Sequence, residues 1–310
     1  MKKIRIGLAL GSGGAKGLSH IGVLKILEEE NIKISFITGS SIGALIGGLY
    51  AKGYTAKELE NLAIEIAENK EKFYNLFDLS KSLRGIIKGD KILEYIDELL
   101  NGVTFEKLLI PFTPIAVDLI SGEKVYVQDG KVSEGIRGSI SIPVIFEPFP
   151  WKDKLLIDGG VLAPLPVREL KEIYKPDIII GVSLHKRTKW NLHNQISINI
   201  PYQPHSLSEK IVYKLSQTGL IREFQRRLNP LFNPSFFEVL MQTIDIMNYK
   251  LEESNIREAD IVIIPEVDQY ETFSFEKAKE IIKKGEIAAR EKIDQIKNIL
   301  KKKKRRFWFF

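Results

Sequence analysis

The chain has no cysteine among its 310 residues. That excludes disulfides, thiolate metal sites and a cysteine nucleophile, and it fits a reducing compartment. Histidine is scarce, with four in all: His20, His185, His193 and His205. No apolar run approaches the ~18–20 residues needed to span a bilayer. The opening Lys2-Lys3 and Ile4–Leu10 has the outline of a leader, but the run is short. It ends in Gly11-Ser12-Gly13-Gly14-Ala15-Lys16-Gly17, not in a small-residue cleavage site. We read a buried first strand and expect a cytoplasmic protein.

What is present is a globular chain. At 44% hydrophobic and 28% charged it can bury a core, which excludes a disordered protein. The length suits one large α/β domain or two small ones. The formal net charge is +6, and Lys301–Arg306 alone hold six positive charges, so the rest of the chain is neutral. A whole-surface nucleic-acid binder would spread its basic residues more widely, and no nucleic-acid partner is expected.

The apolar run Ile4–Leu10 predicts a strand buried on both faces. The glycine loop follows, then a helix over Leu18–Glu30, a strand at Ile34–Thr38, a turn at Gly39–Gly43 and a helix over Ala44–Lys52. Such alternation implies a parallel sheet with right-handed crossovers. Surface helices are predicted at Ala56–Asn69 and Asp90–Asn101. Further strands are predicted at Pro114–Leu119, Lys124–Gln128, Leu155–Ile157, Asp177–Leu184 and Asp260–Ile264. Ser274–Leu300 reads as an amphipathic helix with Glu280/Lys284 and Glu286/Arg290 as i,i+4 pairs. The stretch 186–240 breaks this rhythm with prolines and a basic, partly apolar stripe. It reads as an insertion, able to serve as a lid, on a single domain of residues 1–300. Residues 301–310 form a basic-aromatic tail.

Gly39-Ser40-Ser41-Ile42-Gly43 fits G-x-S-x-G at a strand-to-helix turn, with Ser41 as a candidate nucleophile. Gly39 and Gly43 supply the small flanks such an elbow needs. A tight turn whose serine merely caps the helix is the bland alternative. An α/β-hydrolase triad would take a late histidine. His193 and His205 fall in the irregular insertion and His185 sits beside Lys186 and Arg187, so these read as surface residues.

The glycine loop has three readings. A dinucleotide fingerprint fails because Lys16 occupies the sixth position from Gly11, and a P-loop fails because Leu18 follows Gly17. The third reading is an oxyanion hole made of backbone amides at a helix start. Asp158 follows an apolar strand and precedes Gly159-Gly160. It is a candidate base or a turn former, and burial would raise its pKa toward useful basicity.

Together the glycine loop, the serine turn and the downstream Asp-Gly-Gly resemble the patatin-like phospholipase family. Ser19–Leu24 resembles the family's first helix. Arg137–Phe146, with Ser139, Ser141 and Pro143, resembles the segment before its acid. Asp158–Val161 followed by Leu165-Pro166-Val167 is similar to its acid block. The resemblance extends over roughly residues 4–184 and 241–296. It implies a three-layer α/β/α fold with a mainly parallel central sheet. It also implies a Ser–Asp dyad hydrolase of lipid acyl esters that uses no cofactor or metal. By that resemblance Ser41 is the nucleophile, Asp158 the general base, and the amides of Gly13, Gly14 and Ala15 the oxyanion hole. Lys16 and Gly17 support the loop, and Gly159 and Gly160 complete the acid motif. Ser12 replaces a frequent glycine and Gly138 a common alanine. The alternative from another class is a non-catalytic, membrane-associated lipid-binding or scaffold protein on the same fold.

Lys301–Arg306 runs into Phe307-Trp308-Phe309-Phe310. Basic residues attract anionic lipid and aromatic rings enter the interface. We therefore expect Lys301–Phe310 to contact an anionic membrane surface, with the protein peripheral on the inner face of the membrane.

Overall fold

In the computed structural model, which describes residues 4–80, 82, 84–184 and 236–306, the apolar run forms strand β1 (Ile6–Leu10), buried along its whole length. The chain continues through α1 (Ser19–Glu29), β2 (Phe36–Ser40), α2 (Ile42–Lys52), α3 (Ala56–Glu68), α4 (Lys70–Asn75) and α5 (Asp90–Leu100). Then come β3 (Phe112–Asp118), β4 (Lys124–Tyr126), α6 (Val132–Ser139), β5 (Phe149–Trp151) and β6 (Lys154–Asp158). After a 3₁₀ turn at Gly159–Val161 follow α7 (Val167–Tyr174) and β7 (Ile178–Val182). The last elements are α8 (Phe236–Asn255), β8 (Ile261–Ile263) and α9 (Ala278–Arg306).

The strands make one mostly parallel sheet. β2, β1, β7 and β8 lie side by side and parallel, and β3 pairs parallel with β2. β4 and β6 run antiparallel to β3, and β5 antiparallel to β6. Strand alternation sorts the core into two faces. Leu8, Leu10 and Ile37 join side chains of α1, α2 and α9 in the main cluster, while Ala9 and Ile179 pack with Leu165, Val167 and Leu170 of the α7 side. Helices therefore cover both faces, giving the three layers expected.

The register around β3 decides where the chemistry goes. β2 pairs with the first half of β3, up to Ser40 opposite Ile115. β6 pairs with the second half, from Asp158 opposite Ala116. β4 also pairs with Ile115, Ala116 and Val117, so it holds the other edge and β2 and β6 share one. The parallel β2 and antiparallel β6 thus meet head to head on neighbouring residues of β3.

Several boundaries differ from those read off the sequence. β2 lies at Phe36–Ser40, two residues later than Ile34–Thr38, because its pairing with β1 runs on through Gly39. The turn at Gly39–Gly43 thereby contracts to Ser41, and α2 starts at Ile42. α6, which carries Gly135 and Gly138, has no sequence signal of helix strength, and α4, α7 and α8 are additions to the elements read from the sequence. On α9 the i,i+4 pairs do not form. Glu286 instead takes Lys25 (2.8 Å) and Lys283 (2.7 Å), Glu280 takes Lys277 (3.2 Å) and Arg290 takes Glu29 (2.6 Å), because α9 packs along α1. The insertion and lid assigned to 186–240 lie outside the described residues except for Phe236–Leu240, which open α8.

α9 runs on past Leu300 to Arg306, so the basic half of the tail is helical. Lys303 Nζ donates to the Asp177 carbonyl at 2.6 Å, just before the start of β7. That is the N-terminal end of the parallel strands. The serine turn lies at their C-terminal ends, at the opposite pole. Phe307–Phe310 lie outside the described residues. A chain ending after Leu300 gives up contacts at that pole only and is expected to lose about 1 kcal/mol of stability or less, since surface changes have small effects. Denaturant unfolding checks this.

Arg137 on α6 braces the acid side of the sheet. Its guanidinium is fully buried and donates to the carbonyls of Gly89 (3.0 Å), Lys88 (2.7 Å) and Glu147 (3.1 Å) and to Ser141 Oγ (2.6 Å). It also faces the Phe146 and Phe149 rings at 5.3 and 5.6 Å. Burial pushes its pKa down to about 10, which keeps it charged at neutral pH. Arg137→Leu would strand the Gly89 carbonyl in the interior and unpair the partly buried carbonyls of Lys88 and Glu147. We expect a loss of about 3–5 kcal/mol, read by thermal and denaturant unfolding.

Candidate active site

Ser41 sits between the last residue of β2 and the first of α2, with φ 55° and ψ −125°. For a residue with a Cβ this is strained backbone, worth about 1–3 kcal/mol. The neighbours enforce it. A Cβ on Gly39 would stand 2.4 Å from the Gly43 carbonyl oxygen, and one on Gly43 2.3 Å from the Leu10 carbonyl oxygen. Both glycines are therefore required where strand and helix fold back on each other. Ser139 Oγ accepts the Ser41 amide at 3.0 Å and donates to the Ile115 carbonyl at 2.6 Å. The bland alternative fails locally, because the Ser41 side chain makes no capping hydrogen bond to α2.

The head-to-head strands bring Asp158 to Ser41. A Cβ on Gly159 would fall 2.1 Å from the Ile115 carbonyl oxygen and 3.2 Å from Ser40 Oγ, so β2 and the acid turn touch. Ser40 Oγ donates to the Ala163 carbonyl (2.5 Å) and Thr38 Oγ1 to the Pro166 carbonyl (2.9 Å), tying β2 to the loop after the acid. The Asp158 amide donates to the Ser141 carbonyl at 2.9 Å.

The Asp158 carboxyl is buried. Burial pushes its pKa up from 3.8 to about 6, against the Ser41 hydroxyl and the Gly160 amide, which both favour the ionised form. Oδ1 accepts the Gly160 amide at 2.7 Å. Oδ2 is buried without a partner of hydrogen-bond geometry, so Ser41 acts on the carboxylate as a close polar neighbour. A carboxylate of this basicity, with one oxygen uncommitted, can take a proton.

The glycine loop closes the third side. Gly13 and Gly14 have φ 151° and 57°, and a Cβ on Gly14 would meet the Thr272 carbonyl oxygen at 2.3 Å. Both residues are half-buried and reachable from solvent. The Ala15 amide donates to the Thr272 carbonyl at 2.8 Å. This corrects the expected trio of donors. Three consecutive amides look equivalent in sequence, but tertiary packing occupies the third, while those of Gly13 and Gly14 have no backbone acceptor among the described residues. Lys16 is buried and its Nζ pairs with Asp245 Oδ2 at 3.1 Å, a supporting contact. Gly17 is buried against Ile42 of α2. Below the loop, His20 Nε2 donates to the Gly11 carbonyl at 2.8 Å. Burial lowers the His20 pKa to about 4, so the ring is neutral.

Sequence reasoning singled out Ser139 only as part of a segment and missed its bond to the Ser41 amide. It missed Asp245, Asn248 and Thr272 altogether, since nothing local marks them. A cavity of about 400 Å³ near Asp129, Glu134 and Trp151 shares no lining residue with this site. Its Lys152 Nζ already pairs with Asp129 at 2.6 Å and lies over the Trp151 ring at 4.4 Å.

A serine at a strained strand–helix elbow, beside a buried aspartate at the end of a neighbouring strand, defines an α/β fold with a serine–aspartate pair. The patatin-like phospholipase family matches residues 8–171, more than half of the chain, and takes in the glycine loop, Ser41 and Asp158. The chain belongs to that family. It is similar to an uncharacterized NTE family protein of Mycobacterium tuberculosis, at 40% identity over 58% of this chain and 49% of that protein. It is 27% identical to lysophospholipase NTE1 of Candida albicans, over 90% of this chain and 19% of that protein. The chain thus spans less than half the length of these relatives. Among solved structures, VipD from Legionella pneumophila aligns at 15% identity and a TM-score of 0.49, over 95% of this chain and 67% of that one. Among the described residues no helix is long and apolar enough to cross a membrane.

Proposed function

We propose that this chain is a serine acyl hydrolase that cleaves fatty-acyl esters of phospholipids, lysophospholipids or related lipids through a Ser41–Asp158 dyad. The observation that carries the reading is the junction on β3. There the Ser41 elbow meets a buried carboxylate of raised pKa, and the Gly13 and Gly14 amides of the nearby loop have no backbone acceptor among the described residues. Asp158 takes the Ser41 proton as Oγ attacks the ester carbonyl, and the two amides hold the developing oxyanion. The alcohol leaves with the proton. Water, deprotonated by Asp158, then resolves the acyl-enzyme. Membership of the family and the likeness to a Candida albicans lysophospholipase support a lysophospholipid as the first substrate to try.

The test compares wild type with Ser41→Ala on a short-chain p-nitrophenyl ester and a lysophospholipid panel, with folding followed by circular dichroism. Wild-type turnover that the folded variant lacks is the expected result. Absence of wild-type turnover on every ester, even with anionic vesicles present, would leave the lipid-binding scaffold as the reading. In this proposal residues 1–300 are the catalytic unit. Membrane contact through Lys301–Phe310 becomes a separate question, because the described part of that segment is at the pole away from Ser41.

A further inference from the structure

α8 is an unusual core helix. Its buried face is polar where burial normally selects apolar side chains. Asn248, Glu252 and Asn255 are all buried and Asp245 is nearly so, and the four recur three or four residues apart on one face of the helix. Each has a defined target. Asp245 Oδ2 accepts Lys16 Nζ at 3.1 Å, and Asn248 Nδ2 donates to Ser12 Oγ at 3.5 Å. Glu252 accepts the Ser183 hydroxyl just after β7, and Asn255 Nδ2 donates to the Leu165 carbonyl at 3.3 Å beyond the acid turn. The stripe therefore lies across the C-terminal ends of the strands, where the serine turn opens.

The first two contacts matter most. Ser12 and Lys16 are the shoulders of the loop Gly13-Gly14-Ala15. Three residues separate them, and α8 grips one with each of two side chains a turn apart. Between the shoulders the backbone adopts φ values of 151° and 57°, which glycine allows but does not select. The loop's own backbone bonds are few. Ser12 donates to the Pro164 carbonyl at 2.8 Å and Ala15 to the Thr272 carbonyl at 2.8 Å. The Gly13 and Gly14 amides have no backbone acceptor among the described residues, so their direction is set by what holds the flanks. Ser12 also touches the acid turn, since a Cβ on Gly160 would stand 2.9 Å from both Ser12 Oγ and Asp158 Oδ1. One helix face thus reaches the loop and the acid together.

We propose that Asp245 and Asn248 are positioning residues for the oxyanion donors: through Lys16 and Ser12, α8 aims the Gly13 and Gly14 amides at the carbonyl attacked by Ser41. The inference rests on the hydrolase reading above. It assigns neither residue a contact with substrate. A donor displaced by about 1 Å loses much of its value in the transition state and little in the ground state, so the effect falls on kcat.

The experiment uses the full chain and a water-soluble p-nitrophenyl ester. Asp245→Asn is expected to lower kcat about 10–100-fold with KM changed less than about 3-fold. Affinity for a trifluoromethyl ketone, whose adduct with serine carries an oxyanion, should fall by a similar factor. Asn248→Ala, which removes the longer contact, should act in the same direction but less. Asp245→Glu, keeping the charge, should recover most of kcat. Lys16→Met and Asp245→Asn combined should cost no more than either alone, because both break one link. Glu253→Gln, on the exposed side of the same helix, should match wild type. A wild-type kcat in both Asp245→Asn and Asn248→Ala overturns the proposal. So does a loss that appears in KM and melting temperature while the ketone still binds normally. No turnover by wild type itself overturns the hydrolase reading and this inference with it.

Discussion

Ser41→Ala is expected to lower ester turnover by on the order of 10⁴-fold or more while the protein stays folded, because removing a nucleophile leaves only binding and oxyanion stabilisation. The fold has little to lose. The Ser41 side chain makes no capping bond, and the strained φ of 55° remains with alanine. Glycine at this position separates strain from chemistry. Ser41→Gly should be as inactive as the alanine variant yet more stable by about 1 kcal/mol, as the left-handed φ stops opposing a Cβ. The comparison is made by ester hydrolysis and denaturant unfolding of the three proteins. Turnover in Ser41→Ala within 10-fold of wild type would remove Ser41 as the nucleophile. Loss of activity together with collapse of the fold would point to a structural serine, and the glycine variant guards against that confusion.

The elbow shows what local sequence can and cannot carry. Gly39, Ser41 and Gly43 were legible because their spacing answers a local steric demand, a sharp turn between strand and helix. The glycine loop was legible for the same reason, and the apolar runs of β1, β3 and β7 were marked by burial on both faces. The partner of the serine was a different matter. Asp158 lies more than a hundred residues away, and it came to notice through its Asp-Gly-Gly setting and the family resemblance. Its place beside Ser41 depends on β6 running antiparallel into the edge of β3 that β2 leaves free. No spacing within either segment encodes that register. The bond from Ser139 to the Ser41 amide spans 98 residues and the Lys16–Asp245 pair 229, so both are products of topology. The same holds for Ala15, whose amide is occupied by a carbonyl from the loop before α9.

The position of the basic tail follows from topology too. A sequence read along its length places Lys301–Phe310 after the catalytic motifs and invites one membrane-facing surface for both. α9 runs antiparallel to the strands for 29 residues, about 43 Å at ~1.5 Å per residue. It starts near the glycine loop and ends beside Asp177. A bilayer held by its last turn and a bilayer presenting substrate to Ser41 would have to lie at opposite ends of the sheet. The charge of Lys301–Arg306 was legible; the end of the molecule it occupies was not.

Asp158→Asn should lower turnover about 10²–10⁴-fold, the range for losing a general base, and should make the protein more stable at pH 8. The buried carboxyl has a pKa of about 6 in the folded state, against an ordinary value of 3.8. A raised carboxylate pKa means that the folded state pays for the charge when ionised, here about 3 kcal/mol at ~1.36 kcal/mol per pH unit. Asparagine is neutral and can still accept the Gly160 amide, so most of that penalty disappears at pH 8. The pH dependence is sharper evidence, because His20 opposes Asp158. As pH falls from 6 toward 3.8, the folded state protonates Asp158 before the unfolded chain does, and stability is gained. As pH falls from 6.5 toward 4, the unfolded chain protonates His20 first, since burial holds the folded pKa at about 4, and about 3 kcal/mol is lost. In wild type the two changes nearly cancel. In Asp158→Asn only the His20 loss remains, so the variant's advantage should be largest at pH 8 and shrink to under about 1 kcal/mol near pH 4. Wild-type kcat should rise through an apparent pKa near 6 and level off above it, because the base works ionised. Denaturant unfolding of both proteins from pH 8 to 4, with the wild-type pH–rate profile, checks each limb. Equal stability of the two proteins at pH 8 would show that the carboxyl is not held in an apolar setting, and a pH-independent kcat between 5 and 8 would remove Asp158 as the base.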